Sequence, residues 1–130
     1  MADERMVAKY GSFECQDGFG LVHPRTDLVN VSRPQITEEV ELRNSPLTEL
    51  RISLPIENKV SADLYFASDF LFLNGAGRPL AALNVAPPDF RVDGRQYATA
   101  SGATSVDRSV MQHTGQLCVR WFIMKLPKGR

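Results

Sequence analysis

Apolar and polar residues alternate with a period of two through much of the first half of the chain. In the segment QITEEVELR, Ile36, Val40 and Leu42 fall on one face, and Thr37, Glu39, Glu41 and Arg43 fall on the other. Glu38 interrupts the apolar face, so it belongs near a sheet edge or has a partner. Leu50, Ile52 and Leu54 alternate with Arg51 and Ser53, and Val60, Ala62, Leu64 and Phe66 alternate with Ser61, Asp63 and Tyr65. This is the pattern of strands with one buried face. Asn44-Ser45-Pro46 and Glu57-Asn58-Lys59 supply turns, and the spacing predicts a meander of three neighbouring strands.

The pattern changes at YFASDFLFLNGAGRPLAAL, Tyr65 to Leu83. The apolar run is shorter than the ~20 residues of a membrane helix. NGAGRP lacks the Lys-Ser/Thr pair of a phosphate-binding loop, and no helical periodicity follows it. Asn74, Gly75 and Gly77 accept positive φ, and Pro79 restarts an extended segment, so the stretch predicts a strand buried on both faces followed by a turn. In FRVDGRQY, Asp93-Gly94 predicts a two-residue type I′ hairpin that pairs Val92 with Arg95 and Phe90 with Tyr97. Ala98 to Asp107, ATASGATSVD, is small and polar and reads as a long mobile loop. The last strand, QLCVRWFIMKL, carries Leu117, Val119, Trp121 and Ile123 on one face and Cys118, Phe122 and Met124 on the other, where Arg120 interrupts. Such a strand lies centrally between two covering layers or is partly buried by another molecule.

Eight prolines spread through 130 residues leave few windows for a helix. Together with the period-two pattern they predict an all-β fold, an antiparallel β-sandwich or jelly-roll-like arrangement of seven to nine short strands. The length fits one domain, residues 1–130, with arms at about 1–10 and 127–130 that reach neighbours.

Composition adds little until charge is divided along the chain. Residues 1–65 carry seven Lys/Arg against eleven Asp/Glu, and residues 66–130 carry eight against four, for a net charge of zero. Strands from the two halves that interleave would mix these charges; otherwise the surface has an acidic and a basic pole. Eleven of the fifteen basic residues are arginine, which is enriched at protein contacts where lysine is depleted. The start, MADERMVAKYGSF, shows no secretory signal, which suggests the cytoplasm or an assembled particle. Without such a signal the Asn30-Val31-Ser32 sequon reads as chance. In that setting Cys15 and Cys118 default to buried free thiols, although a disulfide between them would close most of the chain into one loop.

Candidate chemistry is sparse. Cys15, His23, His113 and Cys118 offer a Cys2His2 ligand set, but without the close cysteine spacing of a zinc knuckle. His23 and His113 are candidate bases, yet no nucleophile motif accompanies them, and Ser12 after Gly11 does not lie in a G-x-S-x-G elbow. Glu39 and Glu41 fit a solvated strand face better than a carboxylate pair. Scattered basic residues and a near-neutral pI do not favour nucleic acid. No cofactor and no membrane insertion are expected. The reading that remains is a non-enzymatic structural subunit that associates with itself or decorates a larger assembly such as a viral or phage particle. Its contact residues would be Arg78, Arg91, Arg95, Arg108, Arg120, Phe122 and Met124. The alternative is a carbohydrate-binding module using Tyr65, Phe90, Tyr97 or Trp121 as a stacking platform.

Overall fold

Leu50, Ile52, Leu54 and Ile56 point inward from one uninterrupted strand, as their spacing requires. The computed structural model describes residues 5–7, 13–40 and 44–127. Among these are ten strands: β1 (Arg5–Val7), β2 (Glu14–Asp17), β3 (Val29–Val31), β4 (Gln35–Val40), β5 (Leu47–Asn58), β6 (Leu64–Asn74), β7 (Pro79–Val85), β8 (Arg91–Val92), β9 (Tyr97–Asp107) and β10 (Thr114–Lys125). A four-residue helix, α1 (Val110–His113), precedes β10. The fold is the antiparallel all-β sandwich that the pattern predicts, with more strands than expected and four of them eleven or twelve residues long.

One sheet runs in the order β1-β2-β10-β6-β7, with β8 also beside β6. In the other, β5 pairs with β9 along one side and with β3 and β4, in tandem, along the other. The break between β3 and β4 suits Pro55. Its carbonyl accepts from Ser32 N at 3.0 Å, and a residue's N–H and C=O point the same way in a strand, so its missing donor faces the break. Each sheet draws strands from both halves of the sequence, which mixes the charges of the two halves. Between the sheets, Leu50, Ile52, Leu54 and Ile56 meet Phe66, Phe70, Phe72, Val85, Leu117 and Val119 in one core. DFLFL is buried on both faces, as predicted: Phe70 and Phe72 enter this core, while Leu71 and Leu73 join Phe13, Cys15 and Cys118 on the far side of the sheet.

Three sequence expectations are corrected. β4 and β5 pair, but β6 lies in the opposite sheet, so the segment after Asn58 crosses between layers and is not a meander turn. The strands either side of Asp93-Gly94 also part company, β8 to β6 and β9 to β5, so no hairpin forms. The positive φ there falls on Arg95 (61°). Gly94 is needed for a close approach, since a Cβ would stand 2.1 Å from the Ser61 carbonyl oxygen. Ala98–Asp107 is not a loop but most of β9. Its residues are small because β7 closes on it: Ala86 and Ser101 exchange backbone hydrogen bonds of 3.2 and 3.0 Å, and a Cβ on Gly102 would lie 2.0 Å from Asn84 O. Of the N-terminal arm, Arg5–Val7 pairs with β2; residues 1–4, 8–12 and 128–130, and with them most of both predicted arms, lie outside the described residues.

Hydrogen-bonded polar groups, one buried and one half-buried, close the two ends of the sandwich. At the lower end, Asn58 Nδ2 donates to the carbonyls of Ala62 (2.8 Å), Val92 (3.0 Å) and Asp93 (3.0 Å), and its Oδ1 accepts from Val60 N (2.9 Å). At the upper end, Glu38 finds the partners its pattern demanded. Its carboxylate accepts from Thr48 Oγ1 at 2.9 Å and from the backbone N–H groups of Ser109 (2.5 Å) and Met111 (3.2 Å). Burial is the largest single influence on Glu38 and opposes its ionisation. The bonds from Thr48, Met111, Ser109 and Val110 together outweigh it and hold the carboxyl below its ordinary value.

Asn58→Ala should lower unfolding free energy by about 2–3 kcal/mol, because several buried carbonyls lose their donor; a denaturant midpoint equal to wild type would contradict this. Glu38 stabilises the fold fully above the ordinary glutamate range, and the effect fades as pH falls through the lowered folded-state value. Denaturant titrations of wild type and Glu38→Gln should therefore differ by about 1–2 kcal/mol near neutral pH and converge in acid.

Candidate functional site

The outward faces of the two sheets differ in kind. On the four-stranded sheet, β9 presents Thr99, Ser101, Ala103 and Ser105 beside Ser53, Arg51 and Glu49 of β5, a small and polar surface. On the six-stranded sheet, the register aligns apolar rows across the strands. Cys15, Cys118, Leu71 and Ala82 form one row; Phe122 and Ala67 form another; Met124, Tyr65 and Arg91 form a third. Phe122 (40% exposed) and Met124 (55%) stand out into solvent. Tyr65 stacks on Phe90 with ring centroids 5.9 Å apart and planes 13° from parallel.

Arg120 lies at the middle of this face, directly opposite Asp69. Its Nη2 and Nε donate to Asp69 Oδ2 at 2.9 and 3.3 Å, and Asn84 Nδ2 donates to Asp69 Oδ1 at 3.2 Å. The guanidinium sits 4.4 Å from the Phe13 ring centroid and 5.4 Å from that of Phe122. It is a half-buried cation held between two rings and a carboxylate, which fixes its orientation. On one side of it lies an apolar depression of about 490 Å³ bordered by Leu71, Pro79, Ala82 and Phe13. On the other side stands the ridge of Phe122, Met124, Tyr65 and Phe90.

The fold thus brings Arg120, Phe122, Met124, Arg91, Tyr65 and Phe90 onto or beside one surface, joining residues that the sequence divided between two readings. Arg91 is held by Asp63 and Asp93. The Asp93 hydrogen bond and then the Asp63 charge keep it more firmly protonated than an isolated arginine. The remaining candidates separate. Arg78 belongs to the β6–β7 turn and Arg108 follows β9, both at the upper end, while Arg95 lies in the turn before β9. Tyr97 begins β9 in the other sheet. Trp121 is not a platform: it points into the core, edge-on to Phe66 and Phe70, and its Nε1 donates to Val22 O at 2.9 Å. Phe13 and Asp69 complete the face. Period two places Asp69 on the face of Tyr65, but nothing local in the sequence shows that β6 lies beside β10 or that Phe13 lies beneath Arg120.

The metal-ligand set does not assemble. Cys15 and Cys118, opposite one another on β2 and β10, form a disulfide, so they are not the free thiols expected. His23 and His113 are exposed in separate segments. No group of three or more His, Cys, Asp or Glu among the described residues could hold a metal ion. A cavity of about 450 Å³ at the upper end does include His113, Asp107 and Arg108, but no serine or cysteine nucleophile lines it among the described residues. No helix among the described residues is long and apolar enough to cross a membrane.

The disulfide joins residues 103 apart in sequence. In the chain-entropy view such a link stabilises by about 4–5 kcal/mol. The Cys15→Ser/Cys118→Ser variant should lose about that much in denaturant unfolding, and wild type denatured without reductant should react with no thiol reagent; two reactive thiols would contradict the pairing. Compared with known proteins, no family model, no curated protein and no solved structure matches this chain.

Proposed function

We propose that this chain is a non-enzymatic structural subunit that associates with copies of itself within a larger assembly such as a viral or phage particle. The observation that carries the reading is the apolar outward face of the six-stranded sheet, set against the polar outward face of its partner sheet. An exposed ridge of Phe122, Met124, Tyr65 and Phe90 around a ring-sandwiched Arg120 has the composition of an interface core, where aromatic residues, methionine and arginine are enriched. Large apolar patches on a sheet face mark sites that another surface covers.

The face is also complementary to itself. Along β10 the depression runs from the level of Gln116 to Arg120, which borders it, and the ridge lies beyond, at the level of Phe122 and Met124. A two-fold axis in the contact plane, crossing the strands at Arg120, sets the ridge of one copy over the depression of the other. This is an isologous contact, in which the same patch serves both partners.

Sedimentation or light scattering should show a species larger than one chain. Phe122→Glu and Met124→Glu should each weaken association by at least about 2 kcal/mol, the scale of a hot-spot residue. Met124 is the more exposed of the two and has no packing role in the single chain, so at concentrations where wild type is also dissociated Met124→Glu should leave the thermal midpoint unchanged. A wild-type protein that stays monomeric at its solubility limit would remove the basis for the proposal.

A further inference from the structure

Among the described residues, four that are not glycine have left-handed backbone, and three of them fall within one short segment: Asp89 (φ 58°), Phe90 (φ 56°) and Arg95 (φ 61°). For a bulky residue such as phenylalanine this conformation is a genuine outlier, and strain of this kind persists only where the surroundings impose it. Here they do. The Phe90 ring is stacked on Tyr65, and Phe90 N donates to Pro87 O at 3.0 Å. Arg91 bridges Asp63 and Asp93, with its Nε 2.8 Å from Asp93 Oδ1. Gly94 N donates to Asp63 Oδ1 at 2.9 Å, and Arg95 N to Val60 O at 2.9 Å.

The turn held in this way shapes a groove of about 410 Å³ at the lower end of the sandwich, lined by Asp89, Arg91, Asp93, Gln96 and Tyr97 among others. Tyr97 is 77% exposed, the most exposed large hydrophobic side chain among the described residues, with its hydroxyl 3.4 Å from Glu57 Oε2. An aromatic ring left in water on an otherwise polar sheet face has no packing role there.

The chemistry of the lining selects a ligand class. An anion would meet Asp89 and Asp93, and a cation would meet Arg91. A neutral polyhydroxyl compound uses both signs at once: carboxylates accept from its hydroxyl groups, and the guanidinium and the Gln96 amide donate to them. Two of the five N–H groups of Arg91 serve the aspartates, which leaves its fork able to donate further. A pyranose ring also has an apolar C–H face suited to the face of Tyr97. We propose that the Asp89–Tyr97 groove binds a neutral pyranose unit of a saccharide. This site opens at the lower end of the sandwich, away from the Arg120 depression, and shares only Arg91 with the edge of the apolar face.

The test is saturation-transfer NMR on the full chain with the methyl glycosides of glucose, galactose, mannose and N-acetylglucosamine as probes. At least one should receive magnetisation, strongest at the C–H protons of one ring face. Tyr97→Ala and Gln96→Ala should each weaken that binding tenfold or more. Both positions are exposed, so the thermal midpoint and the oligomeric state should stay at wild-type values, which separates failure here from failure of the assembly reading. No transfer to any of the four glycosides, or transfer that survives Tyr97→Ala, would overturn the proposal.

Discussion

Asn58 is the last inward residue of β5, the only amide in a row that otherwise runs Leu50, Ile52, Leu54, Ile56. A buried amide must find hydrogen-bond partners or destabilise the fold. Its partners come from two segments that both pass between the sheets, Val60–Ala62 leading into β6 and Val92–Asp93 leading out of β8. Meeting that one requirement brings the two crossings together. It sets β8 against the start of β6, where Leu64 pairs with Val92 and Tyr65 with Arg91. The Tyr65–Phe90 stack and the Asp63–Arg91–Asp93 ion pairs then follow from the register. The lower end of the molecule is organised by a single side chain.

Glu38 does the corresponding work at the upper end, where its carboxylate ties β4 to β5 and to the start of α1. Between these two polar anchors the core is apolar save for Ser68, whose Oγ donates to Val85 O at 2.6 Å, and apolar packing itself is non-directional. The anchors decide how the layers are connected, and the core supplies the bulk of the stability. Because the outward face of the four-stranded sheet is polar and that of the six-stranded sheet is not, the fold also has an inherent asymmetry. Arg120 marks it: an arginine on an outward face would ordinarily extend into water, yet this one rests against Phe13 and Phe122 and is fixed by Asp69.

Much of the fold was legible because period-two patterning is a local property. The inward faces of β4 and β5, the doubly buried β6 and the two-faced β10 follow from residue order alone. What failed was information that is not local. ATASGATSVD looks like a loop because its side chains are small, but they are small because β7 packs onto β9 at Gly102, a contact between residues about twenty apart. Asp93-Gly94 does mark a turn, and sequence alone does not reveal that the strands on either side belong to different sheets. Trp121 shares a face with Leu117 and Val119, and residue order alone left it either inward or a platform; the fold turns it inward, where its N–H is satisfied by Val22. Tyr65, Phe90, Arg120, Phe122 and Met124 were each singled out, but their convergence depends on β6 lying between β8 and β10. The Cys15–Cys118 pairing has the same long-range origin.

Phe90 connects the two exposed regions. Its ring belongs to the apolar ridge through the stack on Tyr65, while its left-handed backbone helps shape the groove that Tyr97 flanks. Strained backbone relaxes when its support is removed, so the ring contact on one surface helps to maintain the shape of the other. A molecule covering Phe90 from the sheet side would restrain the turn further. Any ligand that prefers the restrained turn would then, by linkage, favour the covered state by the same free energy. The coupling needs no long pathway, because one residue contributes its side chain to the first surface and its main chain to the second.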